Sequence, residues 1–142
     1  MIIKQLSVFL ENKTGRLNEV TDCLGAADIN LTALSIADTS EFGILRMIVS
    51  DPDKALKILK NAGFAVSLTE VVCLQSPNTP GSLAKALDIL SGEGVFIEYL
   101  YAFSNGNNAA NVVLKPGNIQ KCITILQKNK MKLLKEDDLY QL

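Results

Sequence analysis

The spacing of apolar residues changes several times along this chain. Near the start they occupy every second position and further on every third or fourth, which predicts a strand followed by an amphipathic helix. The strand positions are Leu6, Val8 and Leu10, and the helix positions are Leu17, Val20 and Leu24. Residues 29–37 and 42–49 are rich in Ile, Leu and Val and flank a polar loop at 38–41, which predicts two strands joined by that loop.

A second helix and a closing strand complete this half of the sequence. Asp51 is a residue type favoured at a helix N-cap, Pro52 suits the first helical position, and Gly63 stands where a C-cap belongs. Residues 64–75 follow as one long apolar strand without a linker. The predicted order is therefore β-α-β-β-α-β.

The second half of the chain repeats this order. One hexapeptide recurs 66 positions later, and after one inserted residue 55–59 aligns with 122–126. The hexapeptides are Asn12-Lys13-Thr14-Gly15-Arg16-Leu17 and Asn78-Thr79-Pro80-Gly81-Ser82-Leu83. The second half predicts a helix from about Pro80, strands over 95–103 and 108–114, a helix around 119–126 and a strand near 131–134. The tail, 135–142, is expected to be a short edge strand or a disordered segment.

The repeat predicts a duplicated domain, because its period exceeds that of solenoid repeats and it occurs only twice. We predict domains at 1–67 and 68–142 of the α+β class, each a ferredoxin-like βαββαβ unit with two helices on one face of an antiparallel sheet. The two units are expected side by side, in a continuous sheet of about eight strands. At the junction, either one long strand serves both sheets, or the halves exchange strands so that the segment around 133–134 completes the other sheet.

Composition excludes several classes of protein. The chain has 142 residues, of which 48% are apolar and 20% charged, and this is typical of a folded globular protein. It contains no His, which removes Ser-His and Cys-His catalysis and His-based metal sites together. Lys and Arg total 14 against 15 acidic residues, so no basic surface for nucleic acid is expected. We expect no cofactor and no metal.

The cysteines and the termini indicate a compartment. Cys23, Cys73 and Cys122 are far apart and odd in number, which fits a reducing compartment and predicts small buried side chains. No apolar run approaches the roughly 18 residues that span a bilayer, and the first residues lack a signal-peptide pattern. We therefore expect a soluble, cytoplasmic protein without membrane association.

The glycine turns after the first strand of each half resemble those of the ACT domain, a small amino-acid-sensing module. The resemblance rests on the β-α-β-β-α-β order, on the Asn-x-x-Gly-x-Leu turn and on Asp28-Ile29-Asn30-Leu31 at the start of the second strand. It covers nearly the whole chain twice. The second turn carries the Pro-Gly pair typical of the family, whereas the first has Thr14 in place of the proline.

The chemistry of these turns suits a small anion. A strand that passes through glycine into a helix presents free N–H groups at the positive end of the helix dipole, and glycine lets a carboxylate approach closely. Pro80 at the first helical position would fix the second turn, and Thr79 is able to cap the helix. Asn12 and Asn78 offer both donors and acceptors for a carboxylate or an ammonium group. The alternative is that these residues are ordinary helix starts.

The resemblance implies that an effector lies between two modules, in contact with the turn of one and the second-strand start of the other. Carried over, it gives two unequal sites. One site comprises Asn78, Thr79, Pro80, Gly81, Ser82, Leu83 and Asn30, and the other comprises Asn12, Lys13, Thr14, Gly15, Arg16, Leu17 and Phe96. We expect the first to bind an amino acid more readily, because an Asn amide pairs with charged groups and a Phe ring does not.

Two further patterns bear on ligands and partners. Lys13 and Arg16 lie near a helix N-terminus, where the dipole disfavours cations, so they are either balanced by a nearby anion or exposed to solvent. Tyr99, Tyr101 and Phe103 alternate along one strand and share one face of the sheet. If that face points away from the helices, the stripe predicts burial against another chain.

These observations predict a stand-alone regulatory protein that binds a free amino acid, is not an enzyme, forms a homodimer and acts on a regulated enzyme as partner. Two alternatives remain open. One is a small acylphosphatase-like enzyme on the same fold, although the loop Asn12-Lys13-Thr14-Gly15-Arg16 only loosely imitates a phosphate-binding loop. The other is a ligand-free structural subunit.

Overall fold

The computed structural model describes residues 1–39 and 41–140. Ser40 of the predicted polar loop and the last two residues of the tail lie outside this part. The described residues form two compact units. We call N-terminal unit the residues Lys4–Thr69 with a short segment that begins at Leu139, and C-terminal unit the residues Met1–Ile3 with Glu70–Asp138. The predicted domain limits at 67 and 68 stay a prediction.

The N-terminal unit has the predicted order of strands and helices. Its elements are β1 (Ile3–Glu11), α1 (Arg16–Ala26), β2 (Leu31–Asp38), β3 (Phe42–Val49), α2 (Pro52–Asn61) and the first part of β4 (Ala65–Pro77). The strand β3 pairs antiparallel with both β1 and β2, and β4 adjoins β1, so the order is β4-β1-β3-β2. This is the arrangement of a ferredoxin-like unit.

The C-terminal unit repeats that order. Its elements after β4 are α3 (Ser82–Gly92), β5 (Ile97–Phe103), β6 (Ala109–Pro116), α4 (Ile119–Lys128) and β7 (Lys132–Leu133). The strand β6 pairs antiparallel with β4 and β5, and β7 pairs antiparallel with β4. The resulting order, β7-β4-β6-β5, matches that of the N-terminal unit position by position. The α+β fold of two βαββαβ units is confirmed.

One long strand explains how two such units arise from seven strands. β4 has 13 residues and contributes its first part to the N-terminal unit and its second part to the C-terminal unit. Leu133 in β7 pairs with Leu74 of β4, so this segment stays within the C-terminal unit. Of the two alternatives for the junction, the shared strand is the one observed. The described residues therefore contain seven strands where about eight were expected.

Each unit has its own hydrophobic core, to which both of its long helices contribute. In the N-terminal unit, the alternation along β1 turns Leu6 and Val8 toward Val20 of α1 and Leu59 of α2. The matching residues of the C-terminal core, all buried, are Val72, Leu74, Ala86, Leu90, Val112, Leu114, Cys122 and Leu126. The two apolar periods in the sequence thus identify the strand faces and helix faces that pack together.

Two details of the predicted elements are wrong. The helix α3 begins at Ser82 and not at about Pro80, and its N-cap, Gly81, leaves Thr79 without a capping role. The tail is not an edge strand or disordered over 136–140, because these residues form a short helix, α5 (Glu136–Tyr140). Three acidic residues in its first turn favour that helix through the dipole, and Leu139 anchors it because its side chain is fully buried.

Candidate functional site

The turn between β4 and α3 is a tight turn from Thr79 to Ser82. The amide of Ser82 donates to the carbonyl of Thr79 at 3.2 Å. Gly81 has φ 86° and ψ −8°, which are the values of the third position of a type II turn, and Pro80 occupies the favoured second position. The hydroxyls of Thr79 and Ser82 lie 2.7 Å apart and share a hydrogen bond. The proline and the glycine therefore define the shape of this turn.

The turn between β1 and α1 has the same shape without the proline. Gly15 has φ 90° and ψ −12°, and the amide of Arg16 lies 3.3 Å from the carbonyl of Lys13. Thr14 occupies the position of the proline. Asn12, which precedes the turn, is exposed like its counterpart Asn78. The repeat in the sequence is thus a repeat of backbone conformation.

The helices that follow these turns have uncapped N-termini. α1 and α3 receive no hydrogen bond from a capping side chain, whereas Asp51 caps α2 and Asn118 caps α4, each at 3.1 Å. A Cβ atom built on Gly15 or Gly81 would meet nothing within 4 Å, so space next to each glycine is open. Helix N-termini of this kind attract anions through their unpaired N–H groups.

Asn30 and Phe96 do not lie near the turn of their own unit. β1 and β2 are both antiparallel to β3 and so run in the same direction. The turn follows the end of β1 and Asn30 precedes the start of β2, which places them at opposite ends of the sheet. Phe96 precedes β5 in the same way, and the residue is 70% exposed. The predicted sites, which combine a turn with the strand start of the other module, stay a prediction.

The protein supplies its own counter-anions for the two cations of the first turn. Lys13 Nζ lies 2.7 Å from Glu11, and this hydrogen bond, with the charge of Lys13, lowers the pKa of the Glu11 carboxyl. Arg16 Nη1 lies 2.6 Å from Glu19, and its Cζ stacks 4.8 Å from the centroid of the Phe64 ring. The Nε of Arg16 is buried without a partner. The guanidinium is thus held against the protein.

A pocket lies beside each turn within its own unit. The pocket of the N-terminal unit has a volume of about 190 Å³ and includes four predicted residues. These are Asn12, Lys13, Arg16 and Leu17. The pocket of the C-terminal unit has about 370 Å³ and includes one predicted residue, Ser82, together with Lys85, Lys130 and Lys132. The sequence analysis did not identify these three lysines. An alignment of the two halves offers a signal for them, because each is aligned with a residue other than lysine in the first half.

The aromatic stripe lies on the face of the sheet away from the helices. Tyr101 pairs with Val113 and Phe103 with Asn111, whereas the core residues of β6 are their neighbours of opposite parity, Val112 and Leu114. The two aromatic side chains are half-buried. The condition for the predicted contact with another chain is met, and the contact itself stays a prediction.

Two of the three cysteines are fully buried, as predicted. Burial raises the pKa of Cys73 to about 12 and that of Cys122 to about 11. Cys23 is half-buried. Thiolates are the reactive form of cysteine, so Cys73 and Cys122 are chemically inert in the folded protein.

We expect iodoacetamide at pH 8 to label Cys23 alone in the native protein and all three cysteines in urea, as measured by peptide mass spectrometry. Because the unfolded thiols ionise near pH 9 and the buried thiols of Cys122 and Cys73 only at about pH 11 and about pH 12, the free energy of unfolding should fall as pH rises above 9. Rapid native labelling of Cys73 would contradict the burial described here.

The described part of the chain contains neither a cluster of metal-binding side chains nor a membrane-spanning helix. Over residues 1–39 and 41–140, no three of His, Cys, Asp and Glu come together to hold a metal ion. No helix in that same part is long and apolar enough to span a bilayer.

Comparison with known proteins bears on the whole chain. Residues 1–142 match the family described as ACT domain pair. Protein BT0572 from Bacteroides thetaiotaomicron, of known crystal structure, is 60% identical, and the match covers 100% of this chain and 98% of that one with a TM-score of 0.96. No match was found among curated proteins.

Two more distant structures share the fold. The regulatory subunit of aspartate kinase from Thermus thermophilus, in a ligand-free form, has a TM-score of 0.66 at 14% identity, covering 89% of this chain and 93% of that one. The corresponding subunit from Thermus flavus has a TM-score of 0.59 at 16% identity, covering 88% and 90%. At these identities the likeness concerns the fold alone.

Proposed function

We propose, because this chain belongs to the ACT domain pair family, that it is a regulatory protein which binds a free amino acid. The observation that carries this proposal is the pair of uncapped helices behind Gly15 and Gly81. Each turn offers unpaired N–H groups at the positive end of a helix and open space beside a glycine, which suits an α-carboxylate. The family favours this function over the acylphosphatase-like alternative.

The preferred site joins Asn78 and the turn Thr79–Ser82 to Asn30 of the other module. The two Asn side chains carry the donors and acceptors that an amino acid needs for its ammonium and carboxylate groups. The site with Phe96 offers an exposed aromatic ring in place of that amide. We therefore propose that the site with Asn30 has the higher affinity.

We propose that the protein forms a homodimer and that binding of the amino acid changes how this homodimer acts on a partner enzyme. The half-buried stripe Tyr99, Tyr101 and Phe103 on the outer face of the sheet supports contact with a second copy. The proposed partner is an enzyme, in keeping with the regulatory role that membership of the ACT domain family implies. Regulation requires only that the amino acid bind one conformational state more tightly than another.

A thermal-shift screen with the twenty amino acids tests the proposal. At ten times its dissociation constant, the correct amino acid should raise the free energy of unfolding by about 1.4 kcal/mol. Asn78→Ala should abolish this gain, and the matched variant Asn12→Ala should leave most of it. If no amino acid shifts the melting temperature, the turns are ordinary helix starts and the proposal is wrong.

A further inference from the structure

We propose that the C-terminal unit binds a small polyanion, carrying phosphate or several carboxylate groups, in the pocket beside Ser82. We call this the lysine pocket; Lys85, Lys130 and Lys132 lie at its walls. Its volume of about 370 Å³ lies in the range of pockets that hold small molecules. The lysine pocket shares Ser82 with the proposed amino-acid site, but its three lysines belong to no other proposed site.

The charge of the lysine pocket has one sign. Three lysines line it, and no Asp or Glu does. Across the described residues, none of the three lysines forms an ion pair with a carboxylate, in contrast to Lys13 in the N-terminal unit. Cations gathered around a concavity repel one another and concentrate anions from solution. The pocket therefore has an unbalanced charge that a polyanion would neutralise.

The pocket beside the first turn lies against β2 and β3 and is not the equivalent of the lysine pocket. The position in the N-terminal unit that aligns with the lysine pocket is occupied by the protein's own side chains. There the Arg16 side chain lies over the Phe64 ring at 4.8 Å and pairs with Glu19 at 2.6 Å. The repeat aligns Arg16 with Ser82, Glu19 with Lys85, and Phe64 with Met131. In the C-terminal unit the long cation is thus replaced by a short hydroxyl, and the acid by a base. These exchanges open a cavity and reverse the charge that faces it.

The backbone supports this correspondence. Gly63 N donates to Lys60 O at 3.0 Å, and the equivalent Lys130 N donates to Gln127 O at 2.9 Å. Gly63 has φ 91° and Lys130 has φ 58°, so a lysine occupies a left-handed position that favours glycine. A lysine in this position borders the pocket, where a glycine would contribute no charge.

Isothermal titration calorimetry of the full chain with inorganic pyrophosphate and with citrate, at constant ionic strength, tests the proposal. We expect at least one anion to bind, with an affinity that falls as salt is added. Binding of pyrophosphate would indicate phosphate ligands and binding of citrate would indicate carboxylate ligands. The proposal is overturned if neither anion binds.

Three variants assign the binding to the pocket. Lys130→Gly and Lys132→Ala should each weaken binding by about threefold to fivefold, and together by about tenfold or more. Glycine suits the backbone at Lys130, so loss of affinity there cannot be ascribed to unfolding. The exposed Lys57→Ala, outside the pocket, serves as the control and should bind as the unmodified protein does.

A triple variant rebuilds the arrangement of the N-terminal unit. Ser82→Arg, Lys85→Glu and Met131→Phe, made together, should fill the pocket and abolish anion binding while the circular dichroism spectrum stays unchanged. Undiminished binding in this triple variant, or in the double lysine variant, would overturn the proposal. The amino-acid screen is repeated on the double lysine variant, and it reports separately on the proposed function because Lys130 and Lys132 lie outside the turn Thr79–Ser82.

Discussion

Leu126→Ala is expected to lower the free energy of unfolding by about 2–5 kcal/mol. Leu126 is fully buried in the core of the C-terminal unit, where α4 packs on the sheet. Truncation removes the transfer free energy of three carbon atoms and leaves a cavity that the surrounding side chains fill only in part. Urea denaturation followed by circular dichroism measures the loss.

The repeat offers a matched test of this result. Leu59 aligns with Leu126, is also fully buried, and belongs to the core of the N-terminal unit. Leu59→Ala should therefore cost a similar amount. Leu34→Ala, at a position 49% exposed, should cost no more than about 1 kcal/mol. Equal losses at Leu59 and Leu34 would contradict the described packing.

Gly81→Val is expected to lower the free energy of unfolding by about 1–3 kcal/mol. Gly81 has φ 86°, a conformation in which a β-branched side chain clashes with its own backbone. Steric contact with other residues does not add to this cost, because a Cβ atom at Gly81 would meet no neighbour within 4 Å. Gly15→Val should have the same effect, since φ is 90° at that turn. Thermal denaturation of both variants measures the cost.

The control for both variants is Gly25→Val. Gly25 lies within α1, has ordinary helical φ, and also has no neighbour within 4 Å of an added Cβ. Valine and glycine differ little in helix propensity, so the free energy of unfolding should change by less than about 0.5 kcal/mol. A loss at Gly25 as large as that at Gly81 would mean that backbone conformation is not the cause.

Most of the fold could be predicted because its signals are local and occur twice. The periods of two and of three to four residues identified the strands and long helices. Residues 64–75 were predicted as one long strand, which left open whether the two halves share it or exchange strands. The start of α3 was placed too early for a physical reason: Pro80 suits the first position of a helix and the second position of a type II turn equally well. The helix α5 was missed because five residues are too few for a periodic pattern.

The candidate site could be predicted less completely. The glycine turns were found because their conformation requires a particular residue type. The stacking of Arg16 on Phe64 joins residues far apart in the chain, so no spacing reveals it. The alignment of the two halves marks the lysines around Ser82 as exchanged positions, but it does not show that they share a pocket. Lys85 lies in α3 and Lys130 in the turn after α4, and only the fold brings them together.

The division between capped and uncapped helices has a consequence for how such a protein diversifies. Asp51 and Asn118 cap α2 and α4, the two helices that do not follow a glycine turn. Their side chains are needed for these capping hydrogen bonds. The glycine turns already tolerate Thr14 in one copy and Pro80 in the other with the same backbone shape. Mutation can therefore alter what one turn recognises while the duplicate and both cores keep their original architecture.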